Sequence, residues 1–455
     1  MIRVNPNIFS AMKPIQRFFA LYLAALSLLW LLAGQNLGAT APNFFAWRGP
    51  LMQYSGVLGI GVMSVAMVLA VRPVWFEPYL SGLDKMYRLH KWLGISGLVL
   101  AISHWLLSEA AKWMVGLGWL TRPMRGPRPV LPEGSLQQLF MSQRGLAEGV
   151  GEWAFYAAVL LMALALVKRF PYRLFFKTHH LLAVAYLALV GHSVILLKFD
   201  NWSSGLGLVM AVLMTAGSLA AVMVIFGRVA SHRPVVGEVV ALRQHTLLQV
   251  IEVDIALQGR WAGHASGQFA FVTLHQDEGA HPYTISSAWA GDGRITFIIK
   301  ALGDYTRTLA QRLSVGDVVQ VEGPYGRFNF EGPQARQIWV GAGIGITPFI
   351  ARMKILATVP DGKTIDLFHT TAVYDPHAIS LMERDATAAG VHLHVLWDER
   401  DGRLNAARLT AQVPDWQAAD VWFCGPAAFG QTLKKDLVAL GLPDARFHQE
   451  LFEMR

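Results

Sequence analysis

Two hydropathy patterns divide this chain. Before about residue 227 the apolar residues gather into six long runs, at about 18–33, 51–71, 87–107, 153–167, 175–197 and 206–226. Runs on the scale of the roughly 20 residues that cross a bilayer as a helix predict six membrane spans. The first run follows Arg3, Lys13 and Arg17, as a secretory leader would, but no small-residue cleavage site follows it, so it reads as a retained helix. From about Ser231 short alternating stretches appear: VVGEVVAL, LLQVIEVDI, QFAFVTL, RITFIIKA and DVVQVEG, separated by Gly, Asp and polar turns. A period of two with such punctuation predicts a small antiparallel β-barrel. From Arg336 strands alternate with helices: QIWVGAG, TPFIARMKILAT, TIDLFHTTA, a helix near 379–389, VHLHVLW, a helix near 406–413, DVWFCGP, a helix near 429–440 and RFHQELF. That order predicts a parallel sheet with helices on both faces. The expected fold class is a multi-domain membrane protein: a six-helix transmembrane bundle over 1–230, an antiparallel β-barrel over 231–333 and an α/β parallel-sheet domain over 334–455.

Composition supports the division. The 455 residues are 53% hydrophobic and 15% charged, too apolar for an ordinary soluble protein. Cys424 is the single cysteine, which excludes an intrachain disulfide and any multi-cysteine cluster. The net charge of +8 does not point to nucleic acid, because no long basic stretch with interleaved aromatics occurs. Basic residues instead flank the apolar runs. Arg3, Lys13 and Arg17, then Arg72, Lys85 and Arg88, then Lys168, Arg169, Arg173 and Lys177, then Arg228 and Arg233 all fall on one side of a six-span topology. Positive charge marks that side as cytoplasmic, with both termini there and the protein multi-pass in the cell (inner) membrane. The 108–150 segment, with Arg122, Arg125, Arg128 and Arg144, is the basic exception on the outer side.

Candidate chemistry begins with histidines in two of the spans, YRLHKWLGISGLVLAISHWLL and KTHHLLAVAYLALVGHSVILL. A lone histidine in an apolar helix is more often a packed residue than a ligand. Two helices with nearly equal spacing change the balance, because an ionisable residue inside a membrane is costly and imidazole is an axial ligand of haem iron. His90 and His104 are fourteen residues apart, about 21 Å along a helix and within about 40° of one face. In the second span His179 and His180 lie thirteen and twelve residues before His192, about 140° and 120° off one ideal face, so periodicity leaves the two open. Under the six-span topology His90 and His179 fall at the inner ends, and His104 and His192 at the outer ends. Facing helices of this kind would clamp two stacked haems.

The second half carries nucleotide chemistry. In HPYTISSA, His281–Ala288, alternating residues of a strand meet one face of a flat ring system: Tyr283 stacks on a flavin and Thr284 hydrogen-bonds it, unless this is an ordinary edge strand. LGDYT, with Gly303, Asp304, Tyr305 and Thr306, offers turn amides before a helix, suited to phosphate, and GPYGRF, Gly323–Phe328, is a turn near the same site. GAGIGITPF places Gly341, Gly343, Gly345, Thr347 and Pro348 between a strand and a helix, where a backbone without Cβ atoms lets a pyrophosphate approach. Cys424, Gly425 and Pro426 end a strand at the edge where such a sheet binds ligands.

In order and spacing these residues resemble the ferric reductase and NADPH oxidase superfamily over nearly the whole chain. The resemblance implies a flavin barrel and a nicotinamide domain of the ferredoxin reductase type behind the six helices. It implies two haem b groups held by His90, His104, His179 and His192, with His180 a bystander. It assigns FAD to His281, Pro282, Tyr283, Thr284, Ser286 and Ser287, and NADPH or NADH to the GAGIGITPF and CGP segments. The implied path runs from cytoplasmic NAD(P)H to FAD, to the inner haem, to the outer haem and to an outer-side acceptor. That acceptor is ferric iron or a ferric chelate first, oxygen reduced to superoxide second. A haem-free flavin reductase serving a partner protein is the alternative. Thr284, Cys424 and Phe452 are expected at the reacting centre, Phe452 as a cover over the flavin that moves for nicotinamide. HQELFEMR is closer to soluble flavin reductases than to the oxidase branch, and no regulatory extension or calcium loop is read, so constitutive activity is expected. Thr370, Thr371 and Arg384 lean slightly to NADPH.

Overall fold

The structure, a computed structural model, describes residues 14–34, 44–80, 82–121, 131–167, 170–229 and 234–450. It forms two compact units that divide near residue 231.

The first unit holds six helices long and apolar enough to cross a membrane. They are α1 (Pro14–Leu32), α2 (Phe44–Ala70), α3 (Leu83–Gly116), α4 (Leu136–Leu166), α5 (Tyr172–Leu196) and α6 (Gly205–Ile225). Two of them reach furthest beyond the sequence expectation. Helix α3 continues nine residues beyond 107, and α4 starts seventeen residues before 153. The apolar run marks only the lipid-facing part of each; the extra turns carry polar residues such as Glu109, Lys112, Gln137 and Arg144. Ser135 caps α4 by accepting from the Gln138 amide. At 34 and 31 residues these helices are about 51 and 46 Å long, well beyond a hydrocarbon core of about 30 Å. Helix therefore takes in 108–116 and 136–150 of the expected 108–150 loop.

Small residues let these helices approach, which is how helices associate where no hydrophobic drive separates them from lipid. A Cβ at Gly97 of α3 would lie 3.3 Å from Met63 of α2, and one at Gly217 of α6 would run into Tyr186 of α5. Tyr186 is fully buried and its hydroxyl bonds Ser64 at 2.8 Å, so this polar pair is satisfied inside the apolar cluster of Leu26, Trp30, Val57, Met210 and Met214.

The second unit starts with the barrel. Its strands are β1 (Pro234–His245), β2 (Val250–Leu257), β3 (Phe269–Thr273), β4 (His281–Thr284), β5 (Arg294–Lys300) and β6 (Val318–Tyr325), in the order β4-β3-β6-β1-β2-β5 with antiparallel pairing. Ile285 bridges back to Phe297, and the Ser286 amide bonds the Thr296 carbonyl at 2.9 Å, so the two edges close. In β5 the period of two turns Ile295, Phe297 and Ile299 inward. Helix α7 (Asp304–Arg312) follows β5.

The chain then builds a parallel sheet of β7 (Arg336–Ala342), β8 (Thr364–Thr371), β9 (His392–Trp397), β10 (Ala419–Cys424) and β11 (Phe447–Gln449), in the order β11-β10-β7-β8-β9. Alternate residues face opposite cores. Trp339, Leu367 and Trp422 pack under α8 (Thr347–Leu356) and α9 (Pro376–Ala389). Ile338, Phe368 and Phe423 pack under α10 (Ala406–Gln412) and α11 (Ala427–Ala439). The connecting 326–333 stretch, expected as the end of the barrel domain, gives Phe328 and Phe330 to the core under α8. Phe349 of α8 is fully buried there, its ring 5.4 Å from Trp339 and 5.7 Å from Phe330. Phe349→Ala is expected to cost about 3–5 kcal/mol, the range for emptying an aromatic site in a core. A denaturant titration of the purified protein, followed by the β-rich unit's unfolding, checks it.

Candidate functional site

The described histidines of α3 and α5 meet in two pairs. The rings of His90 and His179 have centroids 5.9 Å apart, and those of His104 and His192 are 6.3 Å apart. His180 takes no part: its Nδ1–H donates to Phe176 within its own helix at 2.6 Å. The thirteen-residue step from His179 to His192 does not put them on one stripe of α5. Each ring instead reaches α3 through its own surroundings. His179 stacks on Phe175 at 5.0 Å, and His192 lies against α4.

What orients the rings is backbone. The Nδ1–H of His90 donates to the Ala66 carbonyl at 2.9 Å, that of His104 to Met52 at 3.0 Å and that of His192 to Ala147 at 2.9 Å. His104 Nδ1 also lies 3.1 Å from the Ser55 hydroxyl. A hydrogen bond at Nδ1 fixes the tautomer and leaves Nε2 as the lone-pair nitrogen, the arrangement of metal-ligating histidines. The spacing agrees. An imidazole nitrogen sits about 2 Å from a metal, with its ring centre roughly 1 Å further out, so two rings on opposite sides of one ion have centres about 6 Å apart. Among the described residues no group of three or more His, Cys, Asp or Glu could hold a metal ion. Two imidazoles and nothing else suit an iron whose other positions a macrocycle already fills.

The sequence reading missed the residues that make room for this. A Cβ at Gly151 of α4 would collide with the His192 ring, and one at Gly56 of α2 would touch His104 at 3.4 Å. The Gly-rich stretch RGLAEGVGEW was the available signal, but a glycine opposite a histidine is visible only once helices are paired. The carbonyls of Ala66, Met52 and Ala147 carry no side-chain signature at all.

In the barrel, two expected segments come together. His281 of β4 stacks on Tyr305 of α7 with centroids 5.0 Å apart, and the Tyr305 hydroxyl bonds His275 at 2.7 Å. Pro282 and Tyr283 stand half-buried on the same edge strand, and Thr284 pairs with Phe269. Burial holds His281 below its ordinary pKa range, against the opposite pull of Glu278. The Ser286 hydroxyl donates to the Thr296 carbonyl and Ser287 accepts from the Thr296 amide, so both hydroxyls close the barrel. At the start of α7 the Leu302 and Gly303 amides donate to Thr306, while Asp304 stands in the first turn.

The parallel sheet reverses its strand order between β7 and β10, where an open α/β sheet binds ligands at its carboxyl edge. The two expected segments meet at that point. Gly341 ends against Ile346 and Phe349, and a Cβ on Gly345 would strike the Cys424 carbonyl. Gly343 adopts φ 57°, the left-handed region, and Gly425 at φ 159° would press a Cβ on Ala342 at 2.7 Å. Thr347 bonds the Ile344 carbonyl, and Pro348 opens α8. Pro426 precedes α11. Cys424 is buried, and burial, with the Glu450 carboxylate second, pushes its thiol well above the usual range. Glu450 was missed in the sequence; it is 4% exposed and lies beside Gly326. His369 was missed as well: it is buried with Nδ1–H bonded to the Gly341 carbonyl at 3.1 Å, and burial lowers its pKa to about 4.

The slight lean to NADPH finds little support. The Thr371 hydroxyl is taken up by Val373, Thr370 is buried, and Arg384 is exposed in the second half of α9, away from the carboxyl edge where that helix begins. Phe452 lies outside the described residues, as do Arg122, Arg125 and Arg128.

Residues 55–190 match the family described as ferric reductase like transmembrane component, and residues 240–329 match an FAD-binding domain. The chain is 29% identical over 212 residues to the stachydrine N-demethylase reductase subunit of Rhizobium meliloti, a match covering 43% of this chain and 60% of that one. It is 26% identical over 220 residues to the flavohemoprotein of Bordetella pertussis, covering 43% and 54%. The chain thus spans little more than half the length of these curated relatives. The solved flavohem-like FAD/NAD binding domain of nitric oxide dioxygenase from Vibrio cholerae is 22% identical with a TM-score of 0.42, covering 48% of this chain and 98% of that one.

A thiol buried and held protonated does not react as a thiolate. Cys424 is therefore expected to resist iodoacetamide at pH 8 in the folded protein and to be alkylated once denatured, with mass spectrometry as the readout.

Proposed function

Within the ferric reductase/NADPH oxidase-like superfamily, to which the two matched segments assign this chain, we propose that the protein carries electrons from NAD(P)H across the membrane to an acceptor on the outer side. It is a transmembrane flavin-dependent oxidoreductase; the haem ligands, the acceptor and the direction belong to this proposal. When bound, FAD and two b-type haems supply the conversion of a two-electron hydride into single electrons and their carriage through the bilayer. The observation that carries the reading is the ladder of His90 with His179 and His104 with His192, each pair spanning α3 and α5.

The chain's own residues have distinct tasks. His90 and His179 would hold the inner iron, and His104 and His192 the outer one. Held this way, the haems would supply one-electron reduction of an acceptor that does not bind to iron. The carbonyls of Ala66, Met52 and Ala147 keep three of the four Nδ1–H groups occupied, so Nε2 is the ligating atom. Tyr283 and Thr284 would seat the flavin ring, and Gly303, Asp304, Tyr305 and Thr306 at the start of α7 would hold its phosphates. Gly343, Gly345 and Gly425 would admit the nicotinamide dinucleotide, with Cys424 and Thr284 at the reacting centre. Phe452, outside the described residues, would be the cover over the flavin. The basic residues Arg17, Arg72, Lys85, Arg88, Lys177 and Arg228 support a cytoplasmic side for both termini and for the inner pair. Ferric iron or a ferric chelate is the proposed acceptor.

The test is a visible spectrum of protein purified in detergent, before and after NADPH or NADH without oxygen. Sharp reduced b-type bands with about two haems per FAD are expected; flavin bleaching without haem bands leaves a haem-free flavin reductase. His104→Ala is expected to abolish electron delivery to outer-side ferric citrate in proteoliposomes while the FAD stays reducible. Retention of full transmembrane transfer with both haems present would refute the ligand assignment. Gly151→Leu is expected to displace the His192 ring and halve the haem content, whereas Gly149→Leu, where nothing lies within 4 Å of the added Cβ, leaves it unchanged.

A further inference from the structure

The crevice at the carboxyl edge of the parallel sheet has two halves. The glycine turn after β7 sits mid-sheet, with β10 on one side and β8 and then β9 on the other. Cys424 ends β10, so the nicotinamide half of a dinucleotide falls on that side and the adenosine half on the ends of β8 and β9. Those ends are in register, with Ala342 beside Thr370 and Thr371 beside Trp397. In open α/β sheets the group standing past the strand next to the glycine turn reads the adenosine ribose. A carboxylate there takes the 2′-hydroxyl, whereas an arginine takes a 2′-phosphate.

The turn that follows β8, residues 372–375, carries no lysine or arginine and ends in Asp375. Asp375 is 8% exposed. Its Oδ1 accepts from the His377 and Ala378 amides at 3.0 and 3.2 Å, which caps α9. Its Oδ2 makes no hydrogen bond among the described residues. A helix N-terminus can seat a phosphate, but this one already holds a carboxylate. The turn after β9 is acidic as well, because Asp398, Glu399 and Asp401 share the short helix Asp398–Asp401. The basic side chains beside them are taken up. Arg400 forks onto Asp401 at 3.0 and 2.9 Å, and Arg403 lies 3.9 Å from Asp398. His377, in the first turn of α9, stacks with His245 of β1 at 6.3 Å.

We propose that the adenosine half of this crevice selects NADH over NADPH, and that Asp375 is the residue that decides. Its Oδ2 accepts a hydrogen bond from a ribose hydroxyl of NADH. Its charge, with Asp398 and Glu399 on the neighbouring turn, repels a 2′-phosphate, which carries about −1.5 to −2 charge near neutral pH. The inference rests on the reading that the glycine turn and the CGP segment bind a nicotinamide dinucleotide, and it narrows that reading to one of the two. Both nucleotides carry the same nicotinamide and give up the same hydride. The discrimination therefore falls to binding at the ribose and not to the reaction.

The experiment uses the purified holoprotein at pH 8, because imidazole holds a phosphate well only when protonated. Isothermal titration calorimetry gives the affinities for NAD+ and NADP+, and anaerobic stopped-flow gives flavin bleaching by NADH and NADPH. The parent is expected to bind NAD+ at least about tenfold more tightly than NADP+, with the same order in bleaching. Asp375→Asn keeps a capping oxygen for α9 and removes the charge. It is expected to narrow the ratio of the two affinities about tenfold, mainly by tightening NADP+, with the melting temperature unchanged. Asp398→Asn combined with Glu399→Gln is expected to narrow it less. A parent that binds NADP+ as tightly as NAD+, or an Asp375→Asn variant with an unchanged ratio, overturns the proposal. Protein that binds neither nucleotide overturns it together with the nicotinamide reading. Protein that binds NAD+ and bleaches its flavin without reducing haem refutes the electron path alone, and the ratio of affinities still decides the selection.

Discussion

An imidazole N–H inside an apolar helix bundle must find an acceptor, and in this protein helix carbonyls supply it. The consequence reaches beyond the four rings. His90 and His104 are fourteen residues apart on α3, and the carbonyls that hold them, Ala66 and Met52, are fourteen apart on α2. Two antiparallel helices in contact keep such a register along their length, so the α2–α3 pairing sets both levels of the ladder at once. The packing of Gly56 and Gly97 is what permits that pairing. On the opposite side α4 does the same for His192 through Ala147, and Gly151 is the clearance it requires.

The second unit solves a different problem with different means. A flat ring and a long phosphate-linked cofactor need an exposed surface and bare backbone, which the outside of a barrel and the carboxyl end of a parallel sheet provide. The barrel closes through Ser286 and Ser287, with His281 of β4 stacked on Tyr305 and Tyr283 packed against the barrel core. The parallel sheet brings β7 and β10 side by side although 76 residues separate Ala342 from Ala419 in sequence. Only there do two glycine-bearing segments meet. Aromatic packing of Phe328, Phe330 and Phe349 joins the strand that leaves the barrel to the core of this sheet.

The amino-acid sequence by itself determined the six spans, the change from long apolar runs to a period of two, and the strand–helix alternation that demands a parallel sheet. Each follows from short-range physics, because burial faces repeat at fixed intervals along a helix or strand. It also singled out His90, His104 and His192 and the glycine segments, since those residue types are costly or unusual where they stand. It could not choose His179 over His180, whose difference is a rotation of one residue about α5. The choice needed His90 across the bundle and Phe176 beneath His180. It ended α3 and began α4 at the lipid boundary, because hydropathy reports the solvent around a helix and not the extent of its hydrogen bonding. The carbonyls of Ala66, Met52 and Ala147, the clearance at Gly151 and the place of Glu450 beside Gly326 were decided only by tertiary structure. Every one of them is a relation between segments distant in the chain, and no local pattern of side chains encodes it.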